Sequence, residues 1–485
     1  MPKGKMKLLT TLALFGLAGV VASQPTETVR RYYPELMRAD LAVLWNTIGT
    51  SHPDPYRYHT PAEMDALVDS VRDGLMLPLD AEGFINALMP VLRAVGDAGT
   101  ELLPLQALNE SYLHTQPLFP ISVAVVEGKL YLNDELKGFQ SLPPGCELVT
   151  INGVAGTNVL KALRAGLVPE GANITRQDRR IEQDFPFLYR RFVGDPDRFV
   201  VHFRDGEGNE GERTLFAITG DQIQQFHRKQ GLELQPWRLE EFPDTRSAWL
   251  TLSTLEPKAL ADAKVVPDKY LNTVLDALRK NNCRTLVIDL RGAGGTDLAI
   301  AEQVFAMVAQ EPYRMVSAIS INTGEVPEGY AGPAPEFYST VGSLYLPMQD
   351  GRRMLHPEDP RLMHLLPMAK AFSGKVYVIS NGATTGAGAA VVMVAKRSGR
   401  ARIVGEEAGS NAASFCGGRT LDVALPGSGC HLVFPLTRYV PNGIPEGALD
   451  HGEMPTYPVG RMPEDVAKGK DTVRDMLLLL MEELK

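Results

Sequence analysis

Residues 285–295, TLVIDLRGAGG, decide the fold of this 485-residue chain. A short apolar run that ends in glycines predicts a buried strand followed by a tight turn. Residues 376–387, VYVISNGATTGA, show the same strand–turn order and lead into a small-residue helix over 386–396. Two more apolar runs, at 248–252 and 402–405, read as strands separated from these by helical stretches. Strands that alternate with helices predict an α/β core with helices packed on its sheet.

The part of the chain before this core has a different character. Residues 27–113 carry apolar residues at helical intervals, whereas residues 117–220 hold short apolar or alternating runs bounded by Gly, Pro, Asn and Asp. The first pattern predicts helices and the second predicts a small β-rich module. The expected divisions are a signal peptide at 1–23, a helical segment at 24–113, the β-module at 114–222 and the core at 223–485.

The N-terminus predicts export. Lys3, Lys5 and Lys7 precede an almost unbroken apolar run over 8–22, and small residues stand just before Gln24. A positive stretch, an apolar stretch and a small-residue cleavage site make a secretory signal. An uncleaved anchor or a buried helix is the alternative, but the run is shorter than the ~20 residues that a membrane span needs. We expect a periplasmic or extracellular mature chain.

Composition excludes several function classes. The chain is 44% hydrophobic and 22% charged, with a net charge of −9. These values are typical of globular domains, and a net negative charge disfavours nucleic-acid binding. No long apolar run follows the signal, so we expect no stable membrane span once the signal is removed. The oligomeric state cannot be inferred from the sequence.

Export makes disulfides possible for the four cysteines, Cys146, Cys283, Cys416 and Cys430. Cys416 and Cys430 flank a predicted hairpin that turns at residues 426–429, so they are the favoured pair. The alternative is four buried thiols. The chain has no CxxC and no Cys/His cluster with zinc spacing, so we predict neither a structural metal nor a cofactor.

The glycine turns suggest a place for chemistry. Gly294, Gly295 and Ala387 can point backbone N–H groups into one space, where such groups hold a phosphate or the oxyanion of an acyl-transfer intermediate. The plain alternative for the first turn is a tight turn without chemistry. Residues that bind substrate cannot be named from the sequence.

Five motifs in order carry a family resemblance: HP at 52–53, GDAGT at 96–100, PGCELVTING at 144–153, IDLRGAGG at 288–295 and GEEAG at 405–409. Together they resemble the C-terminal processing (tail-specific, tricorn-core-like) serine peptidase family. The resemblance implies a PDZ-like module at 114–222 and a core of the ClpP/crotonase type. It also implies a serine-type endopeptidase that acts on unfolded or C-terminal peptide segments.

The chain differs from the family at the positions where the family has its catalytic residues. Aligned by motif, the family's nucleophile position is Gly386, its histidine position is Gly99 and its lysine position is Asn411. Glycine offers neither a nucleophile nor a base, and covalent catalysis needs a hydroxyl beside a base. We therefore expect no intact catalytic set and an impaired enzyme.

Three functions remain open from the sequence: a family member without catalysis that binds peptides or acts as a scaffold, a re-wired hydrolase that uses Thr385, and an acyl-transfer enzyme on a thioester. Nothing in the chain points to coenzyme A. Thr385 adjoins the nucleophile position, although helix capping is the simpler role for it. Other titratable residues near the motifs, with structural alternatives for each, are His431, His451, Glu406, Glu407, Asp289 and Arg291.

Overall fold

The computed structural model describes residues 30–104, 114–136, 141–229, 235–322, 325 and 335–483. The predicted signal peptide at 1–23 lies outside these residues. Within them, no helix is both long enough and apolar enough to cross a bilayer.

Three helices and one short strand form the N-terminal part. They are α1 (Pro34–Ser51), α2 (Pro61–Gly74), α3 (Ala81–Val95) and β1 (Glu101–Leu103). Local sequence explains where α2 begins, because Thr60 accepts a hydrogen bond from the Glu63 amide while the Glu63 side chain accepts from the Thr60 amide. Gly96, in the left-handed conformation, ends α3. The helical prediction for this segment is confirmed.

The middle part is a β-module. Its elements are β2 (Ile121–Val126), β3 (Lys129–Glu135), β4 (Glu147–Ile151), β5 (Val154–Ala155), α4 (Gly156–Ala165), α5 (Ile174–Phe192), β6 (Arg198–Arg204), β7 (Glu210–Phe216) and α6 (Gly220–Lys229). The strands form one antiparallel sheet in the order β2-β3-β4-β6-β7, with β5 beside β4. The long helix α5 escaped the sequence reading, because Pro186 interrupts it and Asp184 leaves helical geometry.

The C-terminal part begins with β8 (Trp237–Phe242), β9 (Ser247–Leu252), α7 (Pro257–Asp262), α8 (Pro267–Lys280), β10 (Thr285–Asp289), α9 (Leu298–Ala306), β11 (Val316–Ile321), α10 (Pro335–Leu344), β12 (Tyr345–Pro347) and β13 (Arg353–Leu355). It continues with β14 (Lys375–Ser380), α11 (Gly386–Arg397), β15 (Arg402–Gly405), β16 (Phe415–Ala424), β17 (His431–Pro441), β18 (Tyr457–Pro458), α12 (Pro463–Ala467) and α13 (Thr472–Glu483). The helical stretch between the strands at 248–252 and 285–289 reads in the sequence as one helix over 259–279. The structure corrects this to two helices, α7 and α8, since Pro267 starts a new helix.

A mostly parallel sheet lies at the centre of this part, in the order β18-β15-β14-β10-β9-β8. Only β8 runs antiparallel to its neighbour. All five residues of β10 are buried, as expected for a parallel strand covered on both faces. Because β10 and β14 are parallel neighbours, the turns that follow them meet at one edge of the sheet. The predicted α/β architecture is confirmed.

A second sheet joins the first and last parts of the chain. In it, β1 pairs with β17, which also pairs with β16 and β11. The β16–β17 hairpin packs against α1 to α3 in one apolar cluster. The carboxylate of Asp40, fully buried on α1, accepts hydrogen bonds from the amides of Gly427 and Ser428 at 2.8 and 2.7 Å in the hairpin turn. The N-terminal helices therefore complete the core of the C-terminal part.

The structure contradicts the favoured disulfide. Cys416 and Cys430 are free thiols at opposite ends of the β16–β17 hairpin. Cys416 lies opposite Arg438, whereas Cys430 accepts a backbone hydrogen bond from Leu425 at the turn. Eight strand residues at about 3.3 Å each separate the two ends by some 25 Å. The cysteines of a disulfide need Cα atoms within about 7 Å. The two cysteines lie on either side of the hairpin turn in the sequence, but they are not paired across the two strands.

Candidate functional site

The two glycine turns pack directly on each other. The Ala387 amide, in the first turn of α11, donates to the Gly295 carbonyl at 3.0 Å, and the Thr385 amide donates to the Ala293 carbonyl at 2.9 Å. The Ala387 N–H is thus already occupied in this conformation. The assignment of Gly294, Gly295 and Ala387 as an oxyanion pocket stays a prediction.

Gly386, the family's nucleophile position, is closely confined. Its φ is +50°, in the left-handed region that glycine favours. A Cβ placed on it would lie 2.4 Å from the Gly295 carbonyl oxygen, nearer than side chains approach backbone. A serine there would need both a strained φ and a shift of the 292–295 turn. The local backbone therefore matches the glycine in the sequence.

Thr385 stands at the N-cap of α11 with extended backbone, but its side chain makes no capping hydrogen bond. Among the residues that the structure describes, its hydroxyl has no histidine, lysine or carboxylate within hydrogen-bond distance. Neither the capping role nor a base for a re-wired hydrolase is present. The Gly386 amide instead donates to the hydroxyl of Ser410, in the loop after β15, at 2.9 Å. Sequence reasoning missed Ser410.

The structure brings the three family positions into one region. Glu170 links two of them, because its carboxylate accepts from the Ala98 amide at 3.0 Å, beside Gly99, and from the Asn411 amide at 3.4 Å. Ser410, next to Asn411, reaches the Gly386 turn. Loops from the helical segment, the β-module and the core therefore meet where the family alignment places its chemistry.

Asn411 has a structural role in this region. It is fully buried, and its side-chain amide donates to the Tyr58 hydroxyl at 3.0 Å and to the Leu449 carbonyl at 2.8 Å. Its side-chain oxygen accepts from the Ala413 and Ser414 amides. All of these contacts fix the loop that follows β15.

A buried cluster that the sequence did not predict lies beside Gly99. His52, Asp97 and Cys416 bring ligand-type atoms within 4.8 Å of one another. The His52 Nε2 lies 2.9 Å from an Asp97 carboxylate oxygen, and the His52 Nδ1 accepts from the Asp54 amide at 3.2 Å. Arg57 faces the Cys416 sulfur at 3.5 Å. Residues distant in sequence thus form one polar network.

The hydrogen bonds of this cluster do not suit a metal. A metal-bound imidazole carries its proton on the nitrogen that faces away from the metal. Here Nδ1 accepts a hydrogen bond, so the proton is assigned to Nε2, which donates it to Asp97. The guanidinium of Arg57 beside the thiol further disfavours a cation. The arrangement fits a hydrogen-bonded cluster.

Burial controls the protonation of this region. Desolvation, reinforced by the charge of Asp97, raises the pKa of Glu170 to about 7. Desolvation also raises the pKa of the Cys416 thiol well above its usual range, although Arg57 opposes the shift. A thiol held in its neutral form is a poor nucleophile. Cys416 is therefore not equipped to act as a nucleophile in this conformation.

The other residues singled out in the sequence form ion pairs. His431 pairs with Asp422 at 2.7 Å on the hairpin, and His451 pairs with Glu407 at 3.0 Å. The remaining pairs are Asp289 with Arg291, which also contacts Asp471, and Glu406 with Arg179. Neither histidine contacts Thr385 or Ser410 among the described residues. These pairs connect elements of the fold.

Comparison with known proteins agrees with this geometry. The model of peptidase family S41 matches residues 250–442. No curated protein matches the sequence. The solved structure of a serine-to-alanine mutant of CPAF is 12% identical with a TM-score of 0.65, covering 90% of this chain and 94% of that one. Mature CPAF complexed with lactacystin is 13% identical with a TM-score of 0.64, covering 93% and 98%.

At such low identity the structural likeness shows the fold alone, and it extends over most of the chain. The family match adds that residues 250–442, within the predicted core, are similar to peptidase family S41, which confirms the resemblance seen in the sequence for that part of the chain. The α/β fold class is confirmed with it.

Proposed function

We propose that this protein is an exported S41 family member that binds peptide segments and has lost serine peptidase catalysis. One observation carries the proposal. The nucleophile position is Gly386, and the space that a side chain would need there is filled by the Gly295 carbonyl. Family membership supports a peptide or an unfolded protein segment as the ligand. The N-terminal Lys3–Gln24 pattern supports export.

The alternative of a re-wired hydrolase has weaker support. Among the described residues Thr385 has no base within hydrogen-bond distance, and the Ser410 hydroxyl accepts from the Gly386 amide instead of pairing with a histidine. Removing the members of a catalytic triad leaves only ~10³–10⁴-fold acceleration over water in a serine protease. A residual rate of that order, far below the rate of an intact triad, is expected here, so a chain of this kind would not sustain working proteolysis.

The test is to incubate the purified mature chain with a proteome-derived peptide library and read both cleavage and retention by mass spectrometry. We expect peptides to be retained and none to be cleaved, while an active S41 peptidase run in parallel cleaves the same library. Cleavage by this chain that survives Thr385→Ala and Ser410→Ala would overturn the assignment of a lost site.

A Gly386→Ser/Gly99→His variant tests whether a serine and a histidine at the two family positions restore peptidase activity. We expect it to stay inactive, because the Gly386 side has no room for a Cβ and a Cβ on Gly99 would meet the Pro435 ring at 3.2 Å. Circular dichroism must accompany the assay, so that an inactive folded variant is distinguished from an unfolded one. Recovered proteolysis would show that the two turns separate readily.

A further inference from the structure

A pocket lies between the helical segment and the β-module, apart from the candidate site. It encloses about 100 Å³, and its walls come from the end of α3, β1, the loop after α4 and helix α5. Ala98, next to the family's histidine position, lines it. The pocket therefore opens beside the candidate site without including the Gly386 turn.

The charged side chains that line this pocket carry a net positive charge. Three arginines line it, Arg176, Arg180 and Arg191, against one carboxylate, that of Glu101. Arg180 is paired, with Asp184 at 2.8 Å and with Glu101 at 3.6 Å. Arg191 donates to the Leu102 carbonyl at 3.1 Å. Glu101 is thus already used by Arg180.

Arg176 differs from its two neighbours. Within the part of the chain that the structure describes, its guanidinium has no hydrogen-bond acceptor and no carboxylate within 4 Å. Burial lowers the pKa of Arg176, helped by the charge of Arg180, whereas the more distant carboxylates of Glu170, Glu101 and Asp97 oppose the shift. Burying a charge is costly unless it is paired. A guanidinium in this position favours an anion brought by a ligand.

Apart from Gln177, most of the remaining lining of the pocket is apolar. Leu102 and Leu188 are 3% and 7% exposed, and Leu167, Val168 and Phe192 complete the wall. An apolar cavity of about 150 Å³ accepts a benzene molecule. The smaller space here accommodates a few carbon atoms beside an anionic head. A bare inorganic anion would leave this wall unused.

We propose that this pocket binds a carboxylate that carries a short apolar group, with Arg176 as its counter-ion. The planar, five-donor guanidinium can bind a carboxylate through two parallel hydrogen bonds. Two sources share this chemistry: the C-terminal residue of a peptide and a free small carboxylic acid. The first source rests on the proposed peptide-binding function, whereas the second does not.

The experiment is calorimetric titration of the full mature chain with five probes. N-acetylleucine and N-acetylleucinamide differ only in the charge of the head group, and a leucine-terminated peptide is used in both its free-acid and its amidated form. Inorganic phosphate serves as an anion without an apolar group. The matched variants are Arg176→Gln in the pocket and Arg204→Gln on β6, whose side chain pairs with Glu147 and Glu210 on the surface.

We expect the acids to bind at least tenfold more tightly than their amides and than phosphate. A hydrogen bond to a charged group contributes about 1.5–3 kcal/mol, or roughly 10- to 100-fold in affinity. Arg176→Gln should remove most of this preference and Arg204→Gln none of it. The acid–amide comparison on the unmodified chain does not depend on how any variant folds.

Equal binding of acid and amide, equal binding of phosphate, or an unchanged preference in a folded Arg176→Gln would each overturn the proposal. Binding of N-acetylleucine without binding of the peptide acid supports the pocket with a free acid as its ligand, and counts against peptide binding. Binding of the peptide acid supports both. Peptide cleavage would refute the loss of catalysis and leave the pocket assignment intact.

Discussion

Replacing Gly386 with alanine tests whether the candidate catalytic turn has room for any side chain. The residue combines a φ of +50° with a Cβ position 2.4 Å from the Gly295 carbonyl oxygen. Left-handed backbone costs a non-glycine residue about 1–2 kcal/mol. Overpacking a fixed neighbour costs about 1–3 kcal/mol more. The expected loss for Gly386→Ala is therefore about 2–5 kcal/mol.

Two neighbouring glycines separate the contributions. Gly292 has a φ of +76° and nothing within 4 Å of its Cβ position, so Gly292→Ala carries the backbone cost alone. Gly388, within α11, has ordinary φ and a Cβ position 2.3 Å from the Ala293 carbonyl oxygen. Gly388→Ala therefore carries the steric cost, offset by about 1 kcal/mol of better helix propensity.

The assay is guanidinium unfolding followed by tryptophan fluorescence, since Trp237 and Trp249 are buried in the central sheet. The chain has several parts, so midpoints of the core transition are compared instead of one global free energy. We expect the midpoint of Gly386→Ala to fall furthest. A midpoint equal to or above that of Gly292→Ala would refute the claim that this turn is closed.

Three further predictions follow from other regions. Because burial raises the pKa of Glu170 to about 7 from 4.5, the folded state binds more protons than the unfolded state between these values, so stability should fall as pH rises from about 4.5 to 7 and then level off. Glu170→Gln should remove this pH-dependent change in the free energy of unfolding, which is of the order of 3 kcal/mol between pH 4.5 and 7. Urea unfolding midpoints measured across this range report the change, and a pH dependence equal to that of the parent would contradict the assignment. Asp40→Ala should lower stability by about 1.5–3 kcal/mol or more, because it leaves the amides of Gly427 and Ser428 without their charged acceptor; a melting temperature like that of the parent would count against this link. Alkylation of the denatured, unreduced chain should label all four cysteines, and a mass that changes only after reduction would mean that a disulfide exists.

Much of the architecture follows from short-range patterns. The strand over 375–380 and the helix that starts at Gly386 were both expected, because a buried parallel strand reads as a continuous apolar run bounded by glycines. Helix α5 was missed because its 19 residues are charge-rich and contain Pro186, which reads as a break. Its apolar face, with Ile181 and Phe185, is defined by packing against the sheet.

Some residues of the candidate site could likewise be predicted from the sequence, and others could not. The residue types at Gly99, Gly386 and Asn411 can be read from the motifs, so the prediction of an altered catalytic set rests on the sequence. The partners that fill the region, Glu170 and Ser410, have no motif and lie in other parts of the chain. Sequence proximity also misled the disulfide prediction, because strand register and not spacing sets which residues meet.

The sequence by itself determined the α/β core and the resemblance to the peptidase family, since each depends on local pattern or on residue identity. Only the tertiary structure decided that the Gly386 turn is closed by the Gly295 carbonyl, and that Arg176 lines a partly apolar pocket with no carboxylate within 4 Å among the described residues. The physical reason is the same for both. Steric closure and charge pairing depend on atoms brought together from distant segments, and no local pattern of residues records those distances.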